Sequence, residues 1–244
     1  MAWALTGLVV VAGCRGGSEV SVPLGLPPLR VPDDNPMTPA KIELGRKLFV
    51  DRRLSYNHTM SCAMCHVPEQ GYTSNELQTA LGVEGRSLRR NAPALFNVAY
   101  MTALFHDGRE MTLEDQVWSP LLAANEMANP SIGNVVQKLK QLPEYTGLFE
   151  AAFDGRGPAI DTIGKALATY QRTLNSANAP FDRWHYGKDA GALNARQIAG
   201  YKLFTGKNSC VASHTIEQHH ALFTDMQFPN TGIGWYNRSP PATA

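Results

Sequence analysis

Apolar residues recur along this chain at three- and four-residue spacing, in stretches separated by connections rich in Pro, Gly and Asn. That spacing is the signature of helices buried along one face. It predicts a helix from Thr38-Pro39 to about Val50, with Thr38 as its cap and Pro39 in the first turn. Further helices are predicted over residues 113–124, 132–141, 145–153, 161–174 and 194–204. No stretch shows the period of two that a half-buried strand requires, so the pattern predicts an all-α fold. Residues 22–36, 82–93 and 175–180 read as long loops.

At 244 residues the chain can form one large domain or two small ones, each with a core of its own. Lys plus Arg number 22 and Asp plus Glu 21, a net charge of +1; this supplies no broad basic surface for a phosphate backbone, which excludes nucleic acid as a partner. With 43% hydrophobic and 18% charged residues the chain is built to fold. No apolar run reaches the ~20 residues needed to span a bilayer. The first residues have a different character. Ala2 to Gly13 is a short apolar stretch that ends Val11-Ala12-Gly13-Cys14 and runs into Arg15-Gly16-Gly17-Ser18, a pattern that resembles a bacterial lipobox, although no Lys or Arg precedes it. In such signals the cysteine, here Cys14, takes a diacylglyceryl group and becomes the first residue of an exported protein. The other reading is a signal cut near Ala12 with Cys14 incidental. Both readings place the protein in a bacterial periplasm, and the first ties it to a membrane through lipid alone.

The four cysteines at 14, 62, 65 and 210 are too few for a disulfide framework in a chain of this length. Cys62-Ala63-Met64-Cys65-His66 is the C-x-x-C-H pattern of covalent haem c attachment: both thiols add across the porphyrin vinyl groups, and the adjacent histidine ligates the iron. A redox dithiol would want a thioredoxin-like βαβ context and half a zinc site a second Cys/His pair; neither is visible. The surroundings of this motif recur. Gly45-Arg46-Lys47-Leu48-Phe49 precedes it, and Gly200-Tyr201-Lys202-Leu203-Phe204 precedes Ser209-Cys210-Val211-Ala212-Ser213-His214. In each copy Gly and Phe lie four apart on one helix face, where a missing Cβ would admit a neighbouring helix. The repeat predicts two cytochrome c-like haem domains whose long loops wrap flat cofactors. The expected division is a signal at 1–14, a linker at 15–36, a first domain at 37–178 and an incomplete second domain at 179–244. Ser213 cannot form a thioether, so the second copy holds haem through Cys210 and His214 alone or holds none.

The segments ELGRKLF (43–49), MSCAMCH (60–66), RNAPALFNVAY (90–100), LFHDGRE (104–110), LEDQ (113–116), NEM (125–127), ATYQRTLNSANAPFDRW (168–184), FTD (223–225) and NTGIGW (230–235) follow one another in an order that resembles the bacterial di-haem cytochrome c peroxidase and MauG family. The resemblance implies a peroxidatic haem domain followed by an electron-transferring one. It assigns His66 as proximal ligand of the first iron and His214 as that of the second. It makes Glu126 the distal carboxylate that moves a proton during O–O cleavage, Gln116 the distal glutamine of the MauG branch, and Pro120 a distal-pocket proline. Asn91 matches a ligand of an interdomain calcium ion; the other reading is an Asn that fixes its own turn. The partners implied are hydrogen peroxide, a small cytochrome c or cupredoxin as electron donor, and a second copy of the chain in a homodimer.

Departures from the family pattern refine these expectations. No histidine lies between Val67 and Leu104, where many members carry a sixth ligand; the resemblance then implies a first haem open to peroxide without reductive activation. His106 stands where the family has a tryptophan between the haems, and an imidazole can bridge by hydrogen bonds but is a poorer hole carrier. Pro229 replaces a commoner histidine, and the sequence ends thirty residues after His214, so the segment that supplies the second haem's far ligand is expected to be missing. His219 and His220 are read as surface residues. The expected function is a haem-dependent peroxidase. The alternatives are an electron-transfer cytochrome, a MauG-like enzyme that oxidises a protein, and a truncated member without activity.

Overall fold

The computed structural model describes residues 22–230; Cys14 and its signal-like surroundings, and residues 231–235 of the last matched segment, lie outside them. Among the described residues there are nine α-helices joined by loops and short 3-10 turns, and no strand beyond isolated bridges. The fold class is all-α, as the periodicity predicts.

Helix α1 (Pro39–Val50) begins where expected, with the Thr38 hydroxyl accepting the Lys41 N–H at 3.3 Å. The short α2 (Cys62–Cys65) carries the attachment motif. The helix predicted over 113–124 is two pieces, α3 (Leu113–Gln116) and α4 (Trp118–Leu122), because Pro120 has no N–H to offer the Gln116 carbonyl. Helix α5 (Ile132–Gln141) matches its prediction and is capped by the Ser131 hydroxyl on the Asn134 N–H at 3.1 Å. Over 145–153 only α6 (Leu148–Ala152) is α-helical, since Gly147 takes a left-handed φ of +76° that interrupts the helix. Helix α7 (Ile160–Gln171) follows. Helix α8 (Pro180–His185) is too short for its periodicity to show in sequence, and α9 (Ala195–Thr205) completes the set. None of these helices is long and apolar enough to cross a membrane.

One large core is drawn from residues between Leu44 and Leu174, with Leu48, Phe149 and Ile163 fully buried at its centre. Its framework is α1 lying on α7. The contact is close because a Cβ on Gly45 would sit 2.0 Å from the Ala166 carbonyl oxygen and 2.8 Å from the Tyr170 Cβ. The second copy of the repeat differs: α9 buries none of its residues, and a Cβ on Gly200 would meet nothing within 4 Å. The expectation that both glycines admit a helix therefore holds for Gly45 and fails for Gly200 among the described residues. Residues 180–230 are joined instead by aromatic contacts, such as Phe181 with Phe223 at 5.1 Å and Trp184 with Tyr201 at 5.0 Å. Opposite effects of one substitution follow. Gly→Ala gains up to ~1 kcal/mol of helix propensity, but at Gly45 the collision with backbone outweighs it, and Gly45→Ala should destabilise by roughly 1–3 kcal/mol. Gly200→Ala, free of any clash, should stabilise by about 0.5–1 kcal/mol. Thermal melts of the two variants check this.

A buried polar cluster ties the segment before α1 to the helices. Asn35, fully buried, donates to Glu114 Oε1 at 2.7 Å and to the Lys165 carbonyl at 3.1 Å, and its own Oδ1 accepts from Lys41 Nζ at 3.3 Å. Arg172 of the α7 C-terminus grips the same Glu114 with both terminal guanidinium nitrogens, Nη1 to Oε1 at 2.7 Å and Nη2 to Oε2 at 2.9 Å.

Candidate functional site

Cys62 and Cys65 stand one turn apart on α2, and the His66 N–H closes that turn on the Cys62 carbonyl at 2.9 Å. Both thiols are free. Burial pushes the Cys62 thiol up to about 12 and Cys65 up to about 11, the negative charge of Glu126 adding to the second shift. His66 Nδ1 lies 2.9 Å from the Tyr72 carbonyl oxygen. A carbonyl can only accept, so Nδ1 carries the proton and Nε2 keeps its lone pair for a metal. Burial lowers the pKa of this imidazole and outweighs the opposing bond to the Tyr72 carbonyl, so the neutral ligand form is favoured. Two protonated thiols beside a neutral imidazole of fixed tautomer fit the covalent and axial attachment of haem c.

The candidate acid–base residue lies next to this turn. Glu126 is half-buried, with its N–H on the Ala123 carbonyl at 2.9 Å, and the following Met127 N–H reaches the Pro120 carbonyl at 3.1 Å. Burial raises the Glu126 pKa above the usual carboxylate range, while the positive charge of Arg109 pulls it partly back. The Glu126 charge in turn acts on Cys65. The structure thus brings Glu126, Pro120 and the attachment turn into one neighbourhood, with Gln116, half-buried at the end of α3, one helical turn before Pro120.

Other candidates are placed differently. Asn91 spends its amide inside the chain: Oδ1 accepts the Ala92 N–H at 2.9 Å and Nδ2 donates to the Ser74 carbonyl. That arrangement fixes the turn and leaves Oδ1 a second lone pair. His106 is exposed, with Nε2 3.2 Å from the Asn91 carbonyl. His219 is exposed as expected, whereas His220 is half-buried and its backbone bridges to Gly25.

In the second copy the histidine is held in a similar way, on a 3-10 turn (Cys210–Ala212) in place of the short α-helix of the first. The His214 N–H reaches the Cys210 carbonyl at 2.9 Å, and His214 Nδ1 lies 2.9 Å from the Phe223 carbonyl. The two carbonyls that orient these histidines both belong to residues with left-handed φ, Tyr72 at +57° and Phe223 at +54°. The imidazole environment differs, because His214 is exposed and His66 is half-buried. Tyr72, Gly82 and Arg86 lie outside the matched segments, and Phe223 and Arg109 lie inside them without a role that the resemblance assigns.

Comparison with known proteins identifies the family. The profile of the family described as di-haem cytochrome c peroxidase matches residues 39–190. The methylamine utilization protein MauG of Methylorubrum extorquens is 43% identical over 203 residues, covering 83% of this chain and 56% of its own length. Cytochrome c551 peroxidase of Pseudomonas aeruginosa is 36% identical over 182 residues, covering 73% of this chain and 51% of its own. The crystal structure of a MauG-like protein associated with microbial copper homeostasis superposes with a TM-score of 0.73 at 31% identity, covering 86% of this chain and 62% of that one. The chain spans between half and two thirds of the length of these relatives.

Proposed function

Because the chain belongs to the di-haem cytochrome c peroxidase family, we propose that it reduces hydrogen peroxide to water at a haem c held by Cys62, Cys65 and His66. When bound, the haem supplies the iron at which the O–O bond is broken and through which two electrons enter. The observation that carries the proposal is the half-buried Glu126, its proton affinity raised, beside a C-x-x-C-H turn whose histidine is pre-set as a neutral ligand. A Glu126 carboxylate oxygen accepts a proton from the incoming peroxide and gives one to the departing oxygen, which leaves as water. Gln116 and Pro120 flank Glu126, the Pro120 carbonyl accepting the Met127 N–H. Tyr72 holds the His66 tautomer through its carbonyl.

Two electrons per peroxide come from a small periplasmic cytochrome c or copper protein. The repeated geometry at His214 supports a second haem, attached by a single thioether at Cys210, with His106 on the path between the two. In this proposal the chain divides near Asn178, works in the periplasm, reaches a membrane only through lipid on Cys14, and pairs as a homodimer. Calcium at Asn91 stays an element of this proposal: Oδ1 accepts one N–H, from Ala92, and keeps a second lone pair that suits a hard cation.

The test is steady-state turnover of protein matured with haem c, supplied with a reduced small cytochrome and peroxide. Two donors oxidised per peroxide consumed is the expected stoichiometry; a haem-loaded protein that leaves both untouched would refute the reading. Cys210→Ala should remove only the second haem and leave the first haem's spectrum unchanged.

A further inference from the structure

The segment of residues 80–88 folds back on itself, with the Leu88 N–H on the Ala80 carbonyl at 3.1 Å and the Gly82 N–H on the Arg86 carbonyl at 2.9 Å. One side of this hairpin meets the haem attachment turn, where Cys65 Sγ lies 3.9 Å from the Leu81 carbonyl. The other side is docked on the turn that carries Glu126, by three independent contacts. The Val83 N–H donates to the Glu126 carbonyl at 2.9 Å. Arg86 Nη1 donates to the Ala124 carbonyl at 2.8 Å while Nη2 pairs with Glu84. Gly82 lies so close that a Cβ there would be 2.0 Å from the Asn125 carbonyl oxygen and 2.8 Å from the Glu126 Cα.

We propose that this hairpin is the positioning element of the peroxidase site, and that Gly82 and Arg86 are positioning residues that set the place of Glu126 relative to the haem attachment turn. The inference rests on the peroxidase reading and extends it to residues outside the reacting groups. Proton transfer requires the carboxylate within hydrogen-bond reach of the peroxide oxygens, and a displacement of about 1 Å can cost roughly a hundredfold in rate. Glu126 sits in a turn rather than inside a long helix, so its place depends on what is packed against that turn. The hairpin provides this from the side on which haem is attached, so the acid–base group and the cofactor share one scaffold. Gly82 needs no unusual backbone angle, so contact is the physical reason for glycine there: any larger residue must displace main chain, which cannot rotate away as a flexible side chain can.

The experiment compares Gly82→Ala, Arg86→Ala, Arg86→Lys and Glu126→Gln in haem-loaded protein, reading kcat and KM for peroxide together with the haem spectrum and intact mass. Gly82→Ala should lower kcat roughly ten- to a hundredfold with little change in KM, the pattern of a lost transition-state interaction. Arg86→Ala should lower kcat severalfold, and Arg86→Lys, which keeps a donor for the Ala124 carbonyl, should recover most of it. Should Gly82→Ala fail to mature with haem, the Arg86 pair decides, because that side chain is half exposed and its loss leaves the core intact. Wild-type kcat in Gly82→Ala, or in Arg86→Ala when that pair decides, would overturn the positioning role if Glu126→Gln is inactive. Full turnover in Glu126→Gln would instead refute the peroxidase reading on which the proposal rests.

Discussion

Glu126→Gln should abolish most peroxide turnover while leaving the haem spectrum unchanged. The amide has nearly the shape of the carboxyl but cannot take up and return a proton, and general acid–base groups of this kind contribute about 10²–10⁴-fold to rate. Position supports the assignment: the residue is half-buried in a turn docked beside the attachment motif, and its charge acts on Cys65. Its proton affinity gives a second signature. Burial raises the Glu126 pKa, so the acid limb of kcat/KM, where the carboxylate becomes protonated and ceases to act as a base, should lie above the usual carboxylate range and should vanish in Glu126→Gln. Removing Arg109, whose positive charge opposes the shift, should move that limb to still higher pH. Steady-state kinetics from pH 4 to 8 read both effects.

Arg172→Ala should unfold the protein at temperatures where the wild type is stable, with a loss of about 3–5 kcal/mol expected when one partner of a buried ion pair is removed. Arg172 is buried, its side chain 6% exposed against 19% for Glu114, and the substitution leaves a carboxylate inside the fold with only Asn35 to answer it. Glu114→Gln should cost less, because the neutral amide is not a stranded charge. The pair also fixes the acid side of stability. Burial by itself would raise the Glu114 pKa, but the bonds from Arg172 and Asn35 outweigh it and hold the carboxyl below its ordinary value. A group whose folded pKa is depressed contributes stability that is present above its unfolded pKa and lost as pH falls through the folded one. Denaturant midpoints should therefore decline below about pH 4.5 in the wild type and be flatter there in Glu114→Gln. The loss would reach the site, since Glu114 lies two residues before Gln116 on α3.

What could be read in the sequence was what is local. Thr38, Pro39 and the C-x-x-C-H turn act within a few residues of themselves, and each is found where spacing placed it. Pro120 is visible in the sequence, yet its effect, dividing one expected helix into α3 and α4, is a missing N–H set against a strong apolar period. The carbonyls that orient His66 and His214 were not legible: Tyr72 and Phe223 stand six and nine residues beyond their histidines, in left-handed conformations that nothing in an aromatic side chain announces. The two G-x-K-L-F copies predict equal packing, and only the structure shows the Ala166 carbonyl against Gly45 and open space at Gly200. The docking of the 80–88 hairpin on the Glu126 turn joins stretches far apart in sequence through the Val83 N–H, the Arg86 guanidinium and the missing Cβ of Gly82, and no local spacing pairs these groups. Family resemblance located Glu126; the physical reason it can serve came from burial.

The central claim is that Cys62, Cys65 and His66 hold a haem c on which the chain's chemistry depends, and intact mass with peptide mapping tests it most directly. Protein matured in a host that attaches c-type haem should carry one haem on the Cys62–Cys65 peptide through two thioethers, with any second haem bonded to Cys210 alone. A chain recovered from that host with both Cys62 and Cys65 as free thiols would contradict the account.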